Sequence, residues 1–273
     1  MHSNFCGRRD FLKLGASCLV CLAIPGLTGC ISEESVKDLV VACGNDLGGL
    51  TIQAAVEKGM VEDSNFGSGD TFIGDCCGST AQFTLSTGEV DVAVLCPDAV
   101  EKLKEANEDF LELGTIVYDG NLLVSPTGDY ESCKTVGYMA ERDEQLDDLK
   151  TFLGNREIEY KALYTFATAS ALANGLVDAA TMDLAAAAKT NYPAVAFTSD
   201  RPTSVLVARK DLAGDARLVR LIDACNSYLK ELQTEGDELT QRLCELFEID
   251  DKEEVMNWWQ KSTTRFGSNL TTN

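Results

Sequence analysis

The stretch Ser79–Pro97, STAQFTLSTGEVDVAVLCP, recurs in outline as Thr165–Asp183, TFATASALANGLVDAATMD. Each copy runs from hydroxyl residues through an apolar helical segment to a glycine, then into an apolar strand holding one aspartate. The cores align as Gly88-Glu89-Val90-Asp91-Val92-Ala93-Val94 and Gly175-Leu176-Val177-Asp178-Ala179-Ala180-Thr181, 87 residues apart. Solenoid units repeat every 20–50 residues or so, so this spacing suits two α/β lobes, each built on one helix–glycine–strand unit.

Residues 1–29 read as a targeting segment. Arg8-Arg9-Asp10-Phe11-Leu12-Lys13 matches a twin-arginine export signal, with Gly7 where Ser or Thr is usual. The apolar run Leu14–Leu27 is shorter than the roughly 20 residues a membrane-spanning helix needs, and Pro25-Gly26 breaks it. Leu27-Thr28-Gly29-Cys30 resembles a lipobox, so Cys30 is the expected lipidation site and first residue of the mature chain. A signal that anchors the chain without lipid is the alternative. The expected location is the extracytoplasmic face of a cell membrane, with a short tether over residues 30–38.

Removal of residues 1–29 leaves 20 basic and 43 acidic side chains, a net charge of −23. Such a surface repels nucleic-acid phosphate and anionic lipid heads, so no nucleic-acid partner is expected. The sole histidine, His2, leaves with the signal. The mature chain therefore has no Ser-His-Asp or Cys-His pair and no histidine metal ligand. Seven cysteines remain besides Cys30: Cys43, Cys76, Cys77, Cys96, Cys133, Cys225 and Cys244. An odd set cannot pair fully within the chain, and their places in strand ends and helix faces favour buried free thiols.

Along the body, Leu39–Cys43 reads as a strand buried on both faces, followed by a helix over Leu50–Lys58. A second strand from Thr71-Phe72-Ile73 to Cys76-Cys77, a third over Val90–Leu95, a helix over Ala99–Ala106 and a fourth strand over Leu113–Tyr118 complete the first lobe. Alternating strands and helices predict parallel sheets with right-handed crossovers. Asn121–Pro126 and Thr127–Cys133 read as the crossing out. Thr135–Met139, Ile158–Tyr164 and Val177–Met182 are then strands, with helices over Asp143–Phe152 and Thr168–Asn174 between them. Further strands are expected at Ala194–Phe197 and at Ser204–Ala208, the latter carrying the chain back. Leu218, Leu221, Ile222, Cys225, Leu229 and Leu232 share one helix face; this helix and the two after it should pack on the first lobe. The expected division is 39–125 with 205–273 as a discontinuous lobe 1, and 126–204 as lobe 2.

The ordered set of motifs resembles the solute-binding proteins of ABC importers with the type II periplasmic-binding-protein fold, near the sulfonate, taurine, nitrate and thiamine-pyrimidine binders. The matching residues are Gly49-Leu50 with Ala54-Ala55-Val56-Glu57-Lys58-Gly59, then Gly88-Glu89-Val90-Asp91-Val92-Ala93 with Pro97, and Thr135-Val136-Gly137. Gly175-Leu176-Val177-Asp178-Ala179-Ala180 and Val205-Leu206-Val207-Ala208-Arg209-Lys210-Asp211-Leu212 complete the set. The resemblance implies an α/β fold of two doubly crossed, parallel-type sheets with a ligand cleft between the lobes. It also implies a non-enzymatic monomer that captures a small organic solute and delivers it to an ABC permease, with no cofactor. An enzyme on the same fold, of thiamine-pyrimidine or menaquinone-precursor type, and a thiol-based metal- or cluster-binding lipoprotein are the alternatives. The Asp119-Gly120-Asn121 loop departs from the family pattern.

In open α/β sheets ligands bind beyond the carboxyl ends of the strands, where helix N-termini expose backbone N–H groups. The candidate ligand residues there are Asn45, Asp46, Gly78, Ser79, Thr80, Cys96, Asp98 and Tyr118 in the first lobe. In the second they are Thr165, Phe166, Thr168, Met182 and Asp183. Ser79, Thr80 and Thr168 either donate hydroxyls to a ligand or cap helices; the aromatics, Tyr164 among them, either stack on a ring or belong to the core. With Asp46, Asp98 and Asp183 at these ends and no Arg or Lys found there, a neutral or cationic ligand is expected. Cys43, Cys76, Cys77 and Cys96 all fall at strand ends, so they either converge on a soft metal or are inert core thiols.

Overall fold

The structure is a computed structural model that describes residues 39–57, 64–66, 82–106, 109–154, 156–234 and 236–272. Cys30 and the segment with Cys76, Cys77, Gly78, Ser79 and Thr80 lie outside the described residues, as does the strand expected from Thr71. The first half of the chain holds β1 (Leu39–Ala42), α1 (Leu47–Glu57), β2 (Ser64–Phe66), α2 (Gln82–Thr87), β3 (Val92–Leu95), α3 (Pro97–Glu105) and β4 (Phe110–Tyr118). The second holds β5 (Asn121–Val124), β6 (Thr135–Met139), α4 (Asp143–Leu153), β7 (Glu159–Leu163), α5 (Thr165–Ala173), β8 (Ala179–Asp183), α6 (Leu184–Thr190) and β9 (Ala194–Ala196). β10 (Pro202–Arg209) returns to the first half, and α7 (Ala216–Leu232), α8 (Asp237–Phe247), α9 (Lys252–Lys261) and β11 (Arg265–Phe266) end the chain.

Two sheets result, ordered β11-β4-β10-β3-β1-β2 and β7-β6-β8-β5-β9. Their inner lanes correspond. β1 lies between parallel neighbours β2 and β3, as β6 lies between β7 and β8. Beside β3 runs β10, and beside β8 runs β5, each antiparallel and each supplied by a chain that has just crossed from the other sheet. The sheets are therefore mixed, with a parallel interior and crossing strands of opposite sense. Every residue of β3 is buried, as a strand covered on both faces by helices must be.

Asn121–Val124 corrects an expectation: it is a strand of the second sheet and no connection. Leu122, Leu123 and Val124 are buried, so an apolar triplet read as a link has its place in a core. The outward crossing thus falls at Asp119-Gly120, and the return at Thr198–Arg201. Asp119 joins the two. It is buried, adopts a left-handed φ of 53°, and its carboxylate accepts from the Thr198 hydroxyl (2.7 Å), the Asp200 amide (2.8 Å) and the Arg201 amide (3.1 Å). Its own N–H donates to the Arg201 carbonyl at 2.8 Å, and its carbonyl accepts from the Thr264 hydroxyl at 2.8 Å. An Asp tolerates this backbone better than a β-branched residue would.

The 87-residue repeat has a structural meaning. Gly88 and Gly175 both sit at positive φ, 73° and 67°, where a side chain is strained. Asp91 then accepts from the Val40 amide at the start of β1 (2.9 Å), and its own amide donates to Val40 at 2.8 Å. Asp178 does the same to β6, accepting from the Lys134 and Thr135 amides at 2.9 Å each and donating to Thr135 at 2.9 Å. The aspartate in each copy thus fixes where the neighbouring parallel strand begins.

The C-terminal helices were expected on the first lobe. α7 does pack against α1, but α8 and α9 also contact α6 of the second half, and Lys189 of α6 pairs with Glu248 at 2.7 Å. α6 carries no periodic signal in the sequence: LAAAAKT offers no polar face to show a helical period, and all of Leu184, Ala185, Ala187 and Ala188 are buried. No helix among the described residues is long and apolar enough to cross a membrane.

Candidate functional site

A cavity of about 180 Å³ opens where the two sheets meet. Cys43, Asn45 and Asp46 reach it from the loop after β1, Cys96 from the end of β3, and Asp183 from the end of β8. Arg142 and Thr165 reach it from the starts of α4 and α5. Gly120, Asn121, Thr203 and Ser204 line it as well. They stand at strand beginnings, because β5 and β10 run antiparallel to their parallel neighbours and present their amino ends on that side. Hollows of about 440 and 530 Å³ lie elsewhere, near β11 and beside α9. Both are more open to solvent, and each is lined by strands of one sheet only.

The sequence-predicted residues divide. Asn45, Asp46, Cys96, Thr165 and Asp183 come together around the cavity. Asp98 lies beside it in a hollow of about 20 Å³, with a carboxylate oxygen accepting from the Glu144 amide of α4 at 3.2 Å. Tyr118 faces away, beneath the Arg265 guanidinium at 3.8 Å. Phe166 is exposed and stacked on Tyr164 with ring centroids 5.7 Å apart. Thr168 is buried one turn inside α5, because that helix starts at Thr165 and not at Thr168; its hydroxyl donates to the Thr165 carbonyl at 2.8 Å. Met182 is fully buried in the core. Gly78, Ser79 and Thr80 fall outside the described residues.

Arg142 is the correction that matters most. It lies in the loop between β6 and α4, beyond the carboxyl end of a parallel strand, and brings a cation to the cleft. β6 is the counterpart of β1, with Thr135 meeting Asp178 as Val40 meets Asp91, so the loop after β6 is the counterpart of the loop that carries Asn45 and Asp46. The expectation of a cleft without positive charge is overturned.

Local folding explains the two acids. Asp46 precedes α1 and accepts from the Gly49 amide at 2.8 Å; Asp183 caps α6, accepting from the Ala186 amide at 2.8 Å. Gly49 allows the tight turn this needs, since a Cβ there would lie 1.8 Å from the Gly44 carbonyl oxygen. Burial raises the Asp183 carboxyl above its ordinary value, and nearby Asp46 adds to this, while capping amides and the Arg142 charge oppose it. Burial also pushes the Cys43 thiol up to about 11, against the hydrogen bond from Gln53. Cys43 is thus a neutral thiol at physiological pH, not a reactive thiolate. Cys43 and Cys96 both line the cavity, but among the described residues no group of three His, Cys, Asp or Glu side chains could hold a metal ion. Cys76 and Cys77 lie outside them.

No protein-family model and no curated protein matches the chain. Solved structures do. The alkanesulfonate-binding protein SsuA from Xanthomonas axonopodis pv. citri, bound to MOPS, superposes with a TM-score of 0.63 at 13% identity, over 85% of this chain and 86% of that one. A Candida albicans gene product with the generic periplasmic binding protein structural fold gives 0.61 at 17% identity, over 85% and 83%. The chain has the periplasmic binding protein fold. The methionine-binding protein MetQ is similar too, with a TM-score of 0.58 at 11% identity over 78% of this chain and 96% of MetQ. In this fold the ends of β1, β3, β6 and β8 gather around the one cavity described above.

Proposed function

We propose that this chain is the solute-binding component of an ABC import system. Lobe 1 and lobe 2 close on a small organic solute, and the loaded protein presents it to a permease. The observation that carries this reading is the cavity itself. It is formed jointly by both sheets, has charged groups from each, and holds on the order of ten non-hydrogen atoms, taking about 10–15 Å³ for each water-sized group. The fold neighbours named for alkanesulfonate and methionine binding support it. The twin-arginine pattern and Cys30 support export and lipid anchoring on the extracytoplasmic face, and the protein acts as a monomer without a cofactor. The mature chain contains no histidine, which argues against the common hydrolytic pairs and for a non-enzymatic role.

The test is a thermal-shift screen of the mature protein against amino acids, aminosulfonates, sulfonates, amines and pyrimidines. A bound solute stabilises by RT ln(1 + [L]/Kd), about 2.7 kcal/mol at a hundredfold excess over Kd. At least one class should raise the Tm in a concentration-dependent way. No shift with any class would overturn the proposal.

A further inference from the structure

Asp46 and Asp183 approach one cavity from opposite sheets. Each commits one carboxylate oxygen to its helix, through the Gly49 and Ala186 amides. Capping alone is served as well by a neutral Asn or Ser, and an enclosed carboxylate costs more than a hydroxyl unless a charge answers it. The two acids are close enough for Asp46 to raise the Asp183 carboxyl. A cation placed between them removes that mutual repulsion.

Arg142 stands in the same cavity with the opposite sign. Its guanidinium stays charged at any working pH, so a ligand bearing only an ammonium meets repulsion there. A ligand bearing only an anion meets two carboxylates. α3 and α5 also begin at this cavity, and their N-cap residues Cys96 and Tyr164 make no side-chain capping bond, so the positive ends of both helices reinforce Arg142. Resting on the solute-binding reading, we propose that the cleft takes a short zwitterion, its ammonium between Asp46 and Asp183 and its oxyanion at Arg142. The oxyanion is a carboxylate or a sulfonate; the cavity chemistry is common to both.

Binding then depends on pH through Asp183. The charged or titratable groups sharing its cavity are Asp46, Arg142 and the thiols Cys43 and Cys96. The Asp183 carboxyl lies above the usual 3.8, and a proton on it removes half of the ammonium site. Affinity is full above the raised value and falls as pH drops through it.

The experiment is calorimetric titration of the mature protein with glycine, β-alanine and taurine. Propionate, ethanesulfonate, ethylamine and uracil serve as single-charge and neutral controls. At least one zwitterion should bind tenfold or more tightly than its matched anion and than ethylamine. Taurine against β-alanine separates sulfonate from carboxylate. Asp183→Asn keeps a capping side chain, so it should fold with an unchanged melting curve, bind the zwitterion at least tenfold more weakly and lose the acid limb of the pH profile. Arg142→Gln should bring ethylamine and the zwitterion to similar affinity. Equal or tighter binding of ethylamine, of a simple anion or of uracil by the unmodified protein overturns the zwitterion and leaves the solute-binding reading standing. Binding of none of them, with none of the wider screen, overturns both.

Discussion

At the scale of single residues, Asp119 does the most with the least space. Its carboxylate closes hydrogen bonds to Thr198, Asp200 and Arg201, and its backbone reaches Arg201 and Thr264. One side chain thereby binds the outgoing crossing to the returning one at the point where the sheets part. Asp119→Ala leaves a hydroxyl and two amides without their acceptor, and should cost about 2–4 kcal/mol. Asp119→Asn, which keeps one carbonyl acceptor, should cost about half as much. Urea unfolding with an unchanged m-value is the check; an Asp119→Ala protein as stable as the parent would show the crossings are held by other contacts. Gly49 is the second such position. Gly49→Ala drives a methyl into the Gly44 carbonyl and should cost about 1–3 kcal/mol, read as a lower Tm with weaker solute binding, because the displaced loop carries Asn45 and Asp46.

At the scale of elements, the repeat was legible because its aspartates do the same local work twice. Asp91 and Asp178 each hold the amide that opens the adjacent strand, so the sequence had to keep a carboxylate at one register in both halves. The depressed carboxyl of Asp178 follows from the backbone amides of Lys134 and Thr135. A carboxyl lowered on folding stabilises fully above the unfolded value, 3.8 here, and loses that contribution as pH falls through the folded value. Asp178→Ala should therefore destabilise by about 1 kcal/mol at pH 7, with the difference from the parent shrinking below pH 4 or so. A difference that stays constant with pH would assign the loss to packing. Two elements without such a marker were not legible. α6 is nearly all alanine and leucine, so no polar stripe announces it; β5 is an apolar triplet beside a proline and resembles a link. The crossing strands also reverse direction, which hid the cleft contribution of Gly120, Asn121, Thr203 and Ser204. A reading confined to carboxyl ends finds Asp46, Cys96 and Asp183 and passes over the amino ends that face the same space.

At the scale of the whole molecule, contacts at the cleft rim and behind it join the two halves. On one side the Asp98 carboxylate accepts from the Glu144 amide at 3.2 Å, and Lys102 pairs with Glu141 at 2.9 Å. Arg201, on the returning crossing, holds Asp148 at 2.5 Å. On another side α6 packs against α8 and α9. The helix contact is mostly apolar, with the Lys189–Glu248 pair beside it, whereas the Lys102–Glu141 pair is exposed and joins α3 to the loop before α4. An exposed pair contributes roughly 0.2–1 kcal/mol, so it adjusts the contact between the halves without deciding it. Lys102→Glu places like charges across the rim and should weaken solute affinity by about two- to fivefold at low salt. Adding Glu141→Lys should restore it, and the difference should fade towards 1 M salt, where the screening length is about 3 Å. The single and the double variant should both melt with the parent, since neither residue is buried. Loss of affinity in Lys102→Glu that Glu141→Lys fails to rescue would place the effect in lobe 1 alone. Rescue ties the contacts at the rim to the charges inside it, Asp46 from one sheet and Asp183 from the other.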